Sequence, residues 1–285
     1  MIGFTRALRG ELYLLRKRRN LRWMHVGVFV LAALFVVGGR LKLELLKAAG
    51  SGGPDAVGAW NFWPQFGGGV RGGLFLVEIA VLLLLAGGLP REIRSGAVRD
   101  PLSRGISRHA FTASRLLVAL ILPLTLYACA MAGAAGMAAI LFDAGDIMED
   151  GQVLLSIEDD QVAAFLFRSF WHGIPPLLAL GVFSVCMSTA FRTGVAAVGV
   201  GLGVVLAPTL LQDVLGDRAP WLFTDLLPAL GPDSYLARTS TYAAGYGDAY
   251  PVEFDEIVKL GWITPWPALA VAAVAALFLF RRKAV

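Results

Sequence analysis

The sequence predicts an all-α polytopic membrane protein with six transmembrane helices, an N-terminal amphipathic interfacial helix and a short re-entrant helix before the last span. Three observations predict it. First, 57% of the 285 residues are hydrophobic, only 16% are charged and the mean hydropathy is +0.67, whereas about a quarter of a soluble domain is charged. Second, six apolar runs recur along the chain, each near the ~20 residues that a helix needs to cross ~30 Å of hydrocarbon. Backbone groups in lipid must be satisfied within the segment, and the alternation of a membrane barrel is absent, so the runs are helices. Third, the charges are segregated along the chain.

The elements follow in order, within a single transmembrane domain over 1–285. In residues 1–22, Phe4, Leu8, Leu12 and Leu15 recur at helical spacing among Arg6, Arg9, Arg16 and Lys17. This predicts a helix lying on the membrane surface. The first span covers 21–39, and the stretch from Leu41 to Lys47 extends its helix beyond the bilayer. Trp60, Phe62, Trp63 and Phe66 suit an interface. The later spans are 69–89, 111–141, 162–191, 194–215 and 263–280. The third and fourth exceed the bilayer and are expected to tilt or project. An outer loop over 216–262 contains an apolar piece from Pro220 to Leu230, too short to cross, which is expected to dip back as a short helix. No cleavable leader is expected, because the basic stretch is long and no small-residue cleavage site follows the first run.

Charge sets the orientation. Residues 1–23, the loop 90–115, Arg192 and the tail Arg281-Arg282-Lys283 hold 17 of the 25 bases and only 3 of the 21 acids. Residues 142–161 hold seven acids and no base. By the positive-inside bias, both termini and the 90–110 loop are expected on the cytoplasmic side.

Several constellations point to no chemistry of their own. There is no phosphate-cradling GxxxxGK[ST] loop, and Gly199-Val200-Gly201-Leu202-Gly203 lies inside a span without dinucleotide spacing. Glycines four apart there, and at Gly69 and Gly73, are expected to let helices approach closely. Cys129 and Cys186 sit in apolar runs with no CxxC spacing, and no metal site is expected. The acids of 142–161 fit no calcium ladder. No catalytic residues are expected, since neither a Ser/His/Asp nor an HExxH arrangement is present.

Two sites remain open. Glu78 lies thirteen residues before Arg91, about 20 Å along a helix and deep in the hydrocarbon. An isolated carboxylate there is costly. It either lines a translocation path or makes a helix–helix hydrogen bond or a link toward Arg71. Arg168 and His172, one turn apart before Pro175-Pro176, are either an outer contact for an anion or interfacial anchors beside a kink.

The 90–110 loop is the most specific segment. From Glu92 it runs acid, three residues, Gly96, then Val98, Leu102, Ile106-Ser107-Arg108, Phe111 and Arg115-Leu116-Leu117. This resembles, without a gap, the signature E-x-x-x-G-T-L-x-x-L-L-x-x-P-[VI]-S-R-x-x-[FIL]-x-x-G-K-L-L of the type-2 ATP-binding-cassette permeases. Ala97, Asp100-Pro101, Gly105 and Ser114 depart from it, and Pro101 is expected to interrupt a helix. The order of the basic amphipathic helix, six spans, the loop after the second span and a re-entrant piece before the last resembles the family too. The resemblance implies the permease subunit of an ATP-driven exporter in the cytoplasmic membrane of a prokaryote. Its 90–110 loop would couple to a separate ATPase through Glu92, Gly96, Arg99, Arg104, Ser107 and Arg108. It further implies no cofactor in this chain, ATP and Mg held by two ATPase copies, a second permease copy forming a homodimer, and contact with lipid but not nucleic acid. A membrane-embedded enzyme acting on lipids or peptides, and a non-transporting assembly or sensor subunit, are the alternatives.

Overall fold

The computed structural model describes residues 2–17, 19–49, 61–103, 105–144, 159–231, 234–236 and 259–283. Arg104, Trp60, the acidic stretch 145–158 and the loop 237–258 lie outside the described residues. Among the described residues there are helices and turns and no strands.

Five helical stretches are long and apolar enough to cross a membrane: Arg19–Ala48, Phe62–Arg94, Arg108–Leu141, Leu166–Ala190 and Lys259–Arg282. The helices are α1 (Ile2–Lys17), α2 (Arg19–Ala48), α3 (Phe62–Val81), α4 (Gly87–Arg94), α5 (Arg99–Ser103), α6 (Arg108–Leu141), α7 (Asp159–Ala190), α8 (Gly194–Leu210), α9 (Gln212–Leu215) and α10 (Pro265–Arg282). A π-helical turn, Leu82–Ala86, joins α3 to α4. The 194–215 run divides. Its apolar helix α8 has 17 residues, about 26 Å long, and Leu211 leaves helical geometry at φ −113°, ψ 17°. The N-terminal helix also stops earlier than its predicted limit at residue 22, because α2 already begins at Arg19.

Over Pro220–Leu230 the expected short helix does not form. A 3-10 turn, Gly216–Trp221, passes into successive turns through residue 230. Pro220 and Pro228 carry no backbone N–H, and the N–H groups of Ala229 and Leu230 donate to a side chain of another helix.

The core forms where α2, α3, α6 and α7 meet, with α6 touching all three others and α10 packed along α7. Val28, Ala32 and Val36 of α2 meet Val70, Leu74 and Val77 of α3 and Leu126, Ala130 and Ala134 of α6 in one buried cluster. Small residues set the spacing. A Cβ on Gly73 would stand 2.8 Å from that of Ala32 and 2.9 Å from that of Ala130, and one on Gly133 would overlap the Phe29 carbonyl. Gly69 and Gly73 therefore do allow the close approach expected of them. Gly199 and Gly203 do not, because each faces open space; Gly201, between them, is the one that meets Leu82. The window of greatest hydropathy is 72% buried in Leu166–Ala190 but only 28% and 22% in Arg19–Ala48 and Lys259–Arg282. The latter two thus present outward apolar faces such as Phe29, Leu34, Val271 and Val274.

Candidate functional site

The segment from α4 to the start of α6 is a helix–turn–helix–turn built by two glycines. Gly96 takes φ +78° and donates to Ile93 O at 3.1 Å, ending α4. Pro101 does not interrupt α5; it sits in its first turn, where no intrahelical N–H bond is required. Gly105, at φ +80°, then closes α5. Its N–H donates to Leu102 O and that of Ile106 to Pro101 O, both at 3.2 Å, the paired bonds of a left-handed C-terminal cap. The departure from proline to glycine at 105 thus has a local cause, since proline has no N–H and cannot adopt this φ. Ser107 caps α6, its hydroxyl accepting from Ala110 N at 3.2 Å.

Beneath this segment Leu89, Val98, Phe111 and Phe280 form a small buried cluster, with Ile93, Leu102 and Ile106 against it. The Phe111 and Phe280 rings stack at 5.5 Å, seating the segment on the end of α10. Arg108 reinforces the seat. Its Nη1 donates to Lys283 O at 2.7 Å and Arg281 O at 3.2 Å, capping the last carbonyls of α10. Leu89 N donates to Ser188 Oγ at 3.1 Å, tying α4 to α7.

Glu92 is likewise engaged within the chain. Arg115 lies between two acids, bonding Glu92 on one side and Glu11 of α1 at 3.2 Å on the other, with its guanidinium 4.7 Å from the centre of the Phe111 ring. The three side chains are 12–18% exposed, so water screens the charges only in part. This pairing turns Glu11 inward; along α1 Ala7 is buried, Phe4 and Leu8 are partly buried and Leu12 is exposed, so the contact face only partly coincides with the predicted apolar stripe. Arg115→Ala is expected to remove the cation that joins two largely buried carboxylates and to release α1. Limited proteolysis should cut the N-terminal segment at least several-fold faster than in the parent, and an unchanged cleavage rate would refute the clasp.

Of the expected coupling residues, Glu92 and Arg108 thus shape the segment, Gly96 and Ser107 terminate helices, and Arg99 stands exposed. A groove of about 680 Å³ lies between α1 and this segment, lined by Arg6, Gly10, Tyr13, Asp100, Pro101 and Ile106 among others.

Glu78 is fully buried in α3. Its Oε1 accepts from Ala229 N at 2.8 Å and its Oε2 from Leu230 N at 2.9 Å. Both oxygens are committed to a turn 151 and 152 residues away in sequence. No ion pair joins Glu78 to Arg71 among the described residues. The geometry is that of a clamp holding the 223–231 turns on α3, a hydrogen-bonded role but with a turn rather than a helix as partner. Gly231 lets the turn fold back on Asp225, whose carbonyl a Cβ would strike.

Arg168 and His172 do not form one surface. Arg168 is exposed, whereas His172 is 7% exposed and packed edge-on between Tyr235 and Trp262, with ring centroids at 5.4 and 5.6 Å. α7 continues through Pro175-Pro176. Among the described residues no group of three His, Cys, Asp or Glu side chains gathers at one point to hold a metal. No family model matches this chain. A search of curated proteins likewise finds no match.

Proposed function

We propose that this chain is the permease subunit of an ATP-driven exporter of the type-2 ATP-binding-cassette kind. In this reading it crosses a prokaryotic cytoplasmic membrane six times with both termini inside, α8 with α9 supplying the short fifth span. It pairs as a homodimer and is driven by two copies of a separate ATPase that bind ATP and Mg. The observation that carries the reading is the 92–117 segment. It combines the gap-free pattern with a short helix, α5, held between two glycine turns and seated on the last long helix by Phe111, Phe280 and Arg108. A stiff element of this kind can pass rigid-body motion from a docked subunit to the helices behind it. Arg99, exposed on it, is free to pair with acids of that subunit.

Glu92 and Arg108 are poor probes of docking because their loss also loosens the segment. Arg99→Glu is the discriminating change, since it reverses an exposed charge. In proteoliposomes holding the chain with the ATPase isolated alongside it from native membranes, the substitution is expected to lower Mg-ATP hydrolysis at least about tenfold, a loss of ~1.4 kcal/mol. Membrane insertion, read by protease protection, should stay as in the parent. Hydrolysis that is indifferent to the chain and to Arg99→Glu would defeat the proposal.

A further inference from the structure

A second basic feature borders the 92–117 segment at Ile93 and Arg94. A cavity of about 530 Å³ opens where the ends of α4 and α10 meet the turn between α7 and α8, lined by Pro90, Ile93, Arg94, Arg192, Arg282 and Lys283. Four of its six lining residues are cationic and none is acidic. Among the described residues, Arg94, Arg192 and Arg282 make no ion pair; the acid nearest in sequence, Glu92, is paired with Arg115. Lys283 stands at the inner side. Its Nζ donates to Phe191 O at 2.7 Å, Thr189 O at 3.1 Å and Ser188 O at 3.4 Å, closing the carbonyl end of α7. Burial, and then the nearby Arg192, lower its pKa from the usual lysine value. The cavity therefore holds more positive charge than the protein around it compensates.

What lies above the cavity identifies the ligand's other half. Val271, Val274 and Phe278 are 70%, 67% and 50% exposed and follow one another at helical spacing along one side of α10. The stripe ends at Arg282, whose guanidinium lies 4.1 Å from the centre of the Phe278 ring. A cation over an aromatic face is held by the ring's electron density, and its N–H groups remain able to donate to phosphate oxygens. An apolar rail that leads into a basic recess fits a molecule with acyl chains and a phosphate.

We propose that this cavity binds the phosphate headgroup of an anionic membrane lipid, with Arg94, Arg192 and Arg282 as donors and the Val271–Val274–Phe278 stripe beside the acyl chains. Arginine forks suit phosphate oxygens, and basic recesses between membrane helices are where such headgroups gather. The site rests on the chain being a membrane protein and is independent of any ATPase. A lipid there would bridge α4, the α7–α8 turn and α10.

The test uses the full chain in neutral detergent, titrated with short-chain phosphatidylglycerol, phosphatidylcholine or inorganic phosphate, with bound lipid counted by native mass spectrometry and stability followed by melting. Phosphatidylglycerol is expected to bind and raise the melting temperature, and phosphatidylcholine is not. Arg94→Gln with Arg192→Gln should weaken phosphatidylglycerol binding about 30-fold, and Arg99→Gln should leave it unchanged. If the double variant does not fold, Arg192→Gln alone, in an exposed turn, should weaken it about fivefold. Unchanged affinity in the variants, or an equal loss in Arg99→Gln, overturns the site. Inorganic phosphate binding as tightly as phosphatidylglycerol makes it a free-phosphate site and overturns the lipid. Loss of the co-isolated ATPase from Arg94→Gln/Arg192→Gln, with lipid binding intact, makes it a protein contact instead. A chain that remains soluble and monodisperse without detergent would break the membrane reading itself, a separate outcome.

Discussion

Replacing Glu78 by alanine is expected to lower the melting temperature of the detergent-solubilised protein by about 10 °C. The reason is geometric. The side chain accepts two hydrogen bonds from Ala229 and Leu230, and those N–H groups have no other partner among the described residues. Each buried donor left unsatisfied costs about 1–3 kcal/mol, and each kcal/mol moves the midpoint by a few degrees in a chain of this size. Glu78→Gln keeps one carbonyl oxygen but turns an N–H₂ group toward the second donor, so about half of the alanine effect is expected. The two variants separate two roles. A residue that only lines a path would alter transport and leave the melting curve alone. A clamp alters the melting curve first, and the 223–231 turns should lose hydrogen-exchange protection ahead of the α2–α3–α6 core. Variants that melt with the parent would remove the clamp.

Gly133→Leu is expected to be the more damaging change. A Cβ at this position already overlaps the main-chain carbonyl of Phe29, so even alanine requires α2 to move away from α6. A backbone atom cannot rotate aside as a side chain can. The displacement would open the buried layer of Val28, Ala32, Ala130 and Ala134. Overpacking costs about 1–3 kcal/mol where side chains can yield and more where the backbone must. The expected result is a protein that reaches the membrane at less than about a tenth of the parental level in a folded, gel-filtering form. Gly199→Leu, facing open space, is the matched control and should accumulate normally. Equal accumulation of the two variants would show that the α2–α6 approach does not limit folding.

The helices were legible because lipid-facing and buried helical positions are both apolar. Composition and run length alone located Arg19–Ala48, Phe62–Arg94, Arg108–Leu141, Leu166–Ala190 and Lys259–Arg282 to within a few residues, apart from extensions beyond the apolar run. The same logic does not register the break within the 194–215 run, because mean hydropathy is blind to where a helix stops, and α8 ends before Leu211. It also misjudged Pro220–Leu230, where apolarity was read as a helix although the N–H groups at 229 and 230 serve Glu78. The candidate site was half legible. Gly96, Gly105 and Ser107 carry local signals, since positive φ and helix capping depend on residues within one turn.

The sequence by itself determined the helical class, the segregation of basic residues and the segment that most resembles a docking element. Each of these depends on local periodicity, run length or charge count, quantities that a linear chain carries without being folded. Only the tertiary structure decided which carboxylate and which arginine are engaged. Arg115 draws Glu11 and Glu92 together from 104 and 23 residues away, Arg108 closes a helix 173 residues further on, and Glu78 holds a turn 151 residues downstream. Hydrogen bonds and ion pairs act over a few ångströms in space and are indifferent to separation along the chain, so no pattern within a segment encodes its partner. The basic cavity at Arg94, Arg192 and Arg282 belongs to the same category: its three arginines lie in three separate segments, and only the packing of their helices makes them one site.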